Sequence, residues 1–192
     1  MSYRLYHTEG IILTRNFVAE NDLALTVLTP RLGLIRVYAR GMRQEKSKLR
    51  FATDLYSRSQ LSLVAGQEWW RLISAEATET FFLPQDVKKL LSWRRVASLL
   101  GGLVGERPEA ELYQELLKLL RLSRNCSGSN RACFNNWELL SVTRILSHLG
   151  YLPDDELLNK YTQVTTDNRL LEDLNRDHGL VLPKINTVLR SI

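Results

Sequence analysis

The segment Leu34-Ile35-Arg36-Val37-Tyr38-Ala39-Arg40 is where residue type and spacing first suggest chemistry. Side chains of an extended strand alternate between its faces, so Ile35, Val37 and Ala39 point one way and Arg36, Tyr38 and Arg40 the other. Two guanidinium groups flanking a phenol ring on a solvated face can neutralise phosphates and stack a base. The same pattern also describes the charged outer face of a half-buried sheet. The residues that follow favour the first reading: Arg43, Lys46, Lys48 and Arg50 fall in a stretch with Gly41 and Ser47 and no hydrophobic periodicity. A basic loop beside a basic strand face makes one continuous patch. Residues 31–58 carry eight arginines and lysines against Glu45 and Asp54, so this stretch alone exceeds the whole-chain surplus of +5. Six phosphate contacts from such a patch would give a salt slope of roughly −4 to −5 in log affinity.

Trp69 and Trp70 are adjacent, so in a strand only one of them faces the core. The other is either a stacking platform or an edge tryptophan closing a barrel mouth. Catalytic constellations are not found. His7, His148 and His178 are far apart and fit no metal-ligand spacing. The acidic clusters Asp154-Asp155-Glu156 and Glu109-Ala110-Glu111 stand where helices are expected to begin, and there carboxylates cap free amides. Gly101-Gly102-Leu103-Val104-Gly105 lacks the Lys-Ser/Thr ending of a phosphate loop and reads as a helix terminus. Cys126 and Cys133, the only cysteines, lack zinc-site spacing and read as two inert thiols. No catalytic residue, metal ligand or cofactor is expected, and the chain is not read as an enzyme.

The elements that must hold these residues change character along the chain. Five strands are expected over 3–14, 23–29, 33–40, 60–64 and 69–77, each rich in aliphatic, β-branched or aromatic residues. Thr29-Pro30-Arg31-Leu32-Gly33 and Ala65-Gly66-Gln67-Glu68 supply hairpin turns. Five mostly antiparallel strands in so short a span suggest a small barrel. After Pro84 the apolar residues recur at helical intervals. Helices are expected from about 87 to 101, 109 to 122 and 135 to 149, then two short ones near 169–175 and 182–192. Residues 123–131 read as a linker. The fold class is therefore α+β, with a β-domain over residues 1–80 and a helical domain over 81–192. A basic pI near 9.4 favours an anionic partner. With no signal-peptide core at the start and no run of roughly 20 apolar residues, the expected location is the cytoplasm, without a membrane.

Several segments in one order go further. Thr8-Glu9-Gly10-Ile11-Ile12-Leu13, Glu20-Asn21-Asp22, Leu28-Thr29-Pro30-Arg31-Leu32-Gly33, Ala39-Arg40-Gly41-Met42-Arg43 and Lys46-Ser47-Lys48-Leu49 resemble the start of the RecO family. Trp137-Glu138-Leu139-Leu140 and Arg144-Ile145-Leu146-Ser147-His148-Leu149-Gly150-Tyr151-Leu152-Pro153 are similar to its second recurrent segment. The resemblance implies an N-terminal five-stranded OB-fold barrel followed by an all-helical C-terminal domain. It implies a recombination mediator that binds single- and double-stranded DNA, anneals complementary strands and helps load RecA onto strands coated by single-stranded-DNA-binding protein (SSB). RecR and the acidic C-terminal tail of SSB are the implied partners. The family's basic barrel surface carries over to Arg36, Arg40, Arg43, Lys46 and Lys48; Tyr38 joins them by strand alternation and Arg50 by local charge. For the acidic tail, Arg144 and His148 lie one helical turn apart and are expected to flank an apolar groove. Many members carry a four-cysteine zinc module after Gly-Tyr-Leu-Pro, whereas residues 154–177 contain no cysteine and the module is absent. The rival reading is a non-enzymatic adaptor whose basic barrel docks an acidic protein.

Overall fold

The computed structural model describes residues 4–18, 22–41, 52–81, 87–126, 130–163 and 167–192. Five strands, β1 (Leu5–Phe17), β2 (Leu23–Thr29), β3 (Gly33–Ala39), β4 (Ser57–Val64) and β5 (Trp70–Thr80), close into a barrel in the order β1-β2-β3-β5-β4. All pairings are antiparallel except β3 with β5, which meet in parallel at Val37–Trp70 and Tyr38–Arg71. The architecture is the α+β layout expected from the sequence, with the OB-fold strand order.

Closure depends on β1, which serves two neighbours. Its first half pairs with β4 and its second with β2, and the register shifts between Ile12 and Thr14 where the strand bends. Gly10 sits just before the bend, where an added Cβ would come within 2.5 Å of the Val27 side chain. Only glycine lets the neighbouring strand approach so closely. Alternate residues of each strand then fill the interior: Ile12, Leu25, Val27, Ile35, Val37, Leu61 and Leu63 are all at most 2% exposed. Each such side chain contributes roughly 1.5–3 kcal/mol by leaving water.

β4 begins three residues earlier than its apolar pattern suggests. Ser57 and Ser59 are fully buried, and their hydroxyls donate to the carbonyls of Asp54 (2.7 Å) and Ala52 (2.6 Å). Polar residues satisfied by local backbone do not announce a strand.

The turn between β2 and β3 carries Gly33 at φ +68°, a conformation side chains rarely adopt. Its Cβ would also lie 2.2 Å from the Arg107 carbonyl oxygen, while Leu34 N–H donates to the Gly105 carbonyl at 3.0 Å. The edge of β3 is thus covered by residues 105–107. Gly33→Ala should destabilise the barrel by about 2–3 kcal/mol, through left-handed strain and overpacking together. A urea midpoint unchanged from wild type would contradict this packing.

Among the described residues, five helices follow: α1 (Val87–Leu103), α2 (Ala110–Ser123), α3 (Arg131–His148), α4 (Glu156–Thr162) and α5 (Asn168–Ser191). The chain divides into two compact units, one of Met1–Leu83 with Gly101–Tyr113 and one of Pro84–Leu100 with Gln114–Ile192. In the helical unit, the Trp93 and Trp137 rings pack against each other at a tilt of 46° with centroids 4.7 Å apart, and the Trp137 indole donates to the Leu119 carbonyl at 2.8 Å. Asp155 caps α4 by accepting from Leu158 N–H, the role its cluster suggests.

Two expectations are corrected here. The two short C-terminal helices are one helix of 24 residues that runs through Gly179 and Pro183. Leu170, Leu174, Val181 and Ile185 fall on one buried face, so packing holds the helix across the residues that would otherwise break it. The cysteines are not free thiols: Cys126 and Cys133 form a disulfide with Cα atoms 5.6 Å apart. The end of α2 and the start of α3 hold them within bridging distance despite their unremarkable spacing.

Candidate nucleic-acid interface

The alternation in β3 is realised residue by residue. Ile35, Val37 and Ala39 are at most 1% exposed, whereas Arg36 and Arg40 are exposed and Tyr38 is half-buried on the outer face. Tyr38 is locked rather than loose. Its hydroxyl donates to Asp22 Oδ2, and Asp22 Oδ1 accepts the Gly41 N–H at 2.9 Å. One carboxylate at the start of β2 therefore ties down the outer ring of β3 and the residue that follows the strand. The Tyr38 bond, then the Gly41 amide, holds the Asp22 carboxyl below its usual range, and the same bond pushes the Tyr38 phenol up. The Arg40 guanidinium lies 5.8 Å from the Tyr38 ring centroid.

A second cation–ring pair stands beside the first. Trp69, at the end of the β4–β5 connection, has the Arg36 guanidinium 5.9 Å from its ring. Its neighbour Trp70 packs against the barrel core and meets Tyr6 edge-on at 5.1 Å. Of the two tryptophans, Trp70 is the core residue and Trp69 the outer one. Exposed Arg71 follows on β5, in register with Tyr38. The outer surface thus brings together Arg36, Tyr38, Arg40, Trp69 and Arg71: cations alternating with rings, from two strands and one loop.

Other candidates fall elsewhere. Arg43, Lys46, Lys48 and Arg50 lie outside the described residues. Arg58, part of the local charge excess, is engaged on the barrel wall with Glu9, which accepts from Nε at 3.0 Å and also from Nη2; the Glu9 bond raises its pKa. Arg144 does not flank an apolar groove. It is 5% exposed, donates from Nη1 to Glu115 Oε1 at 2.5 Å and from Nε to the Tyr161 carbonyl at 2.9 Å. Its partner Glu115 is also buried, so the charge faces inward. His148 is exposed, and the shallow cavity of about 250 Å³ that both residues line is polar, with Glu115, Ser147 and Thr162. Among the described residues, no three His, Cys, Asp or Glu side chains converge as a metal site would require, and no helix is long and apolar enough to cross a membrane.

The sequence pattern missed Asp22 as the lock on Tyr38. The two are 16 residues apart, and only strand pairing brings them together.

Residues 1–81 match the family model described as Recombination protein O N terminal. The chain is 37% identical over 120 residues to the DNA repair protein RecO of Gloeothece citriformis, covering 62% of this chain and 42% of that protein. It is 32% identical over 152 residues to the protein of that name from Heliobacterium modesticaldum (79% and 54%), and 34% identical over 152 residues to that of Desulforudis audaxviator (78% and 58%). The chain spans about half the length of these curated relatives. The matched segment contains the whole barrel and its outer β3 surface, and on these likenesses residues 1–81 belong to the N-terminal domain of the RecO family.

Proposed function

We propose that this chain is a DNA-repair mediator whose barrel binds single- and double-stranded DNA along the outer surface of β3, anneals complementary strands and helps load RecA onto SSB-coated DNA. The observation that carries the reading is the pair of cation–ring contacts, Arg36 with Trp69 and Arg40 with Tyr38, side by side on one barrel surface. Barrels of this strand order bind oligonucleotides on the β2–β3 face and the adjoining β1–β2 and β4–β5 loops. Guanidinium groups neutralise phosphates, while rings accept bases of any sequence, as annealing requires. The relatives' name, DNA repair protein, agrees with this reading. None of these tasks makes or breaks a covalent bond, so no catalytic residue is called for. RecR and the acidic tail of SSB are the proposed protein partners, with the helical unit as the surface for the tail and His148 as the exposed one of the two residues first considered.

The test is fluorescence anisotropy of a labelled single-stranded oligonucleotide across a salt series. Binding should be tight at low salt and weaken steeply as salt rises. Trp69→Ala should raise Kd about fivefold or more, the loss of one stacked base, without changing the slope. No binding at low salt would overturn the proposal and favour an adaptor that docks an acidic protein.

A further inference from the structure

We propose that Cys126 and Cys133 form a reversible redox site in the helical unit, closed by exchange with a small peptidic disulfide, in which Cys133 meets the exchange partner and Cys126 resolves the mixed disulfide. The two sulfurs are bonded to one another but placed in different surroundings. Cys126 follows α2 and is 1% exposed. Cys133 is half-buried in the first turn of α3, where its N–H donates to the capping Asn130 side chain at 3.1 Å, and exposed Arg131 stands two residues before it. A helix N-terminus favours a thiolate, whereas apolar burial favours a thiol.

Access points the same way. A cavity of about 370 Å³, mixed in polarity, has Asn125, Asn130, Cys133, Asn136 and Asn175 in its wall together with Ala132, Leu171 and Glu172, and Cys126 is not among its described lining residues. Its floor is set between α3 and α5, where Asn136 Nδ2 donates to Asn175 Oδ1 at 3.1 Å and the Leu171 carbonyl at 3.3 Å. The wall that holds Cys133 also carries four side-chain amides, a chemistry that matches the amide groups of a peptidic disulfide.

The step balances as thiol–disulfide exchange. The Cys133 thiolate attacks one sulfur of the small disulfide; that S–S bond breaks, and one thiolate leaves with the electron pair and takes a proton from water. Cys126 then loses its proton, attacks the Cys133 sulfur and expels the second small thiolate. Two protein thiols are oxidised to one disulfide, and one small disulfide is reduced to two thiols.

The experiment uses the full chain, reduced with a phosphine that is then removed, and oxidised glutathione as the probe, read by intact-mass spectrometry. Wild type should close its disulfide and keep no adduct. Cys126→Ser should trap one glutathione on Cys133, and Cys133→Ser should gain adduct about tenfold more slowly. In reduced wild type, which needs no variant to fold, iodoacetamide should label Cys133 about tenfold faster than Cys126. Equal labelling of the two cysteines, equal adduct formation by the two variants, or wild type keeping a glutathione mixed disulfide beside an unreacted second thiol would each overturn the assignment.

Discussion

Reversing Arg36 and Arg40 together to glutamate is expected to weaken binding of single-stranded DNA by about 100-fold at low salt. On single strands each phosphate contact adds roughly 0.7 to the salt slope, so one contact at 50 mM salt is worth about eightfold over its value at 1 M. Two contacts give about 60-fold, and the two introduced negative charges bring the loss to about 100-fold. The slope should become shallower by about 1.4. Both side chains are exposed on a strand whose inward residues are untouched, so the barrel should stay folded. Replacement by lysine separates the two roles of these residues. A lysine pair keeps the charge and the slope but stacks less well on Trp69 and Tyr38, so affinity should fall only several-fold. A wild-type slope in the glutamate variant would remove both arginines from the interface.

The second large effect lies in the helical unit. Arg144→Ala should cost about 3–5 kcal/mol, because it leaves a buried carboxylate facing the space where its guanidinium stood. Glu115 is 8% exposed and also receives Lys118 at 3.2 Å, while Arg144 reaches on to the Tyr161 carbonyl, so one ion pair links α2, α3 and α4. Replacing both partners with apolar residues, as in Glu115→Leu with Arg144→Met, should recover much of the loss. Burial pushes the Glu115 carboxyl up, but the Arg144 bond and charge, with Lys118, outweigh it and leave the pKa lowered. A lowered folded-state pKa means the stabilisation is present above the carboxyl's unfolded value and disappears as pH falls through the folded one. Hydrogen exchange across α2, α3 and α4 measures this directly. Protection in Arg144→Ala within about 1 kcal/mol of wild type would contradict the buried pair.

The contrast between Arg144 and Arg36 shows what the sequence reveals. Arg36 stands in a strand, where the neighbours at 35 and 37 fix its face by alternation, and that face is the one observed. Arg144 stands in a helix, and its surroundings depend on Glu115, 29 residues away on another element. No local pattern encodes that meeting. The barrel was legible for related reasons: β3 alternates, β2 is a near-continuous aliphatic and β-branched run buried on both faces, and Pro and Gly turn residues join the two. The start of β4 was not, since buried Ser57 and Ser59 look like loop residues until their backbone partners are known. The disulfide escaped because sequence spacing does not give the Cα separation. In the site itself, the outward placement of Arg36, Tyr38 and Arg40 was readable, whereas Arg71 was not. The assignment of Trp69 to the outer surface and Trp70 to the core needed the pairing of β3 with β5.

The most direct test of the β3 surface as the DNA interface is a map of backbone amide chemical shifts in the intact chain, titrated with a single-stranded oligonucleotide. The largest changes should fall on residues 36–41 and 69–71, with Asp22 following because it holds Tyr38 and Gly41. Changes concentrated in the helical unit, with β3 and the β4–β5 connection unmoved, would contradict the account.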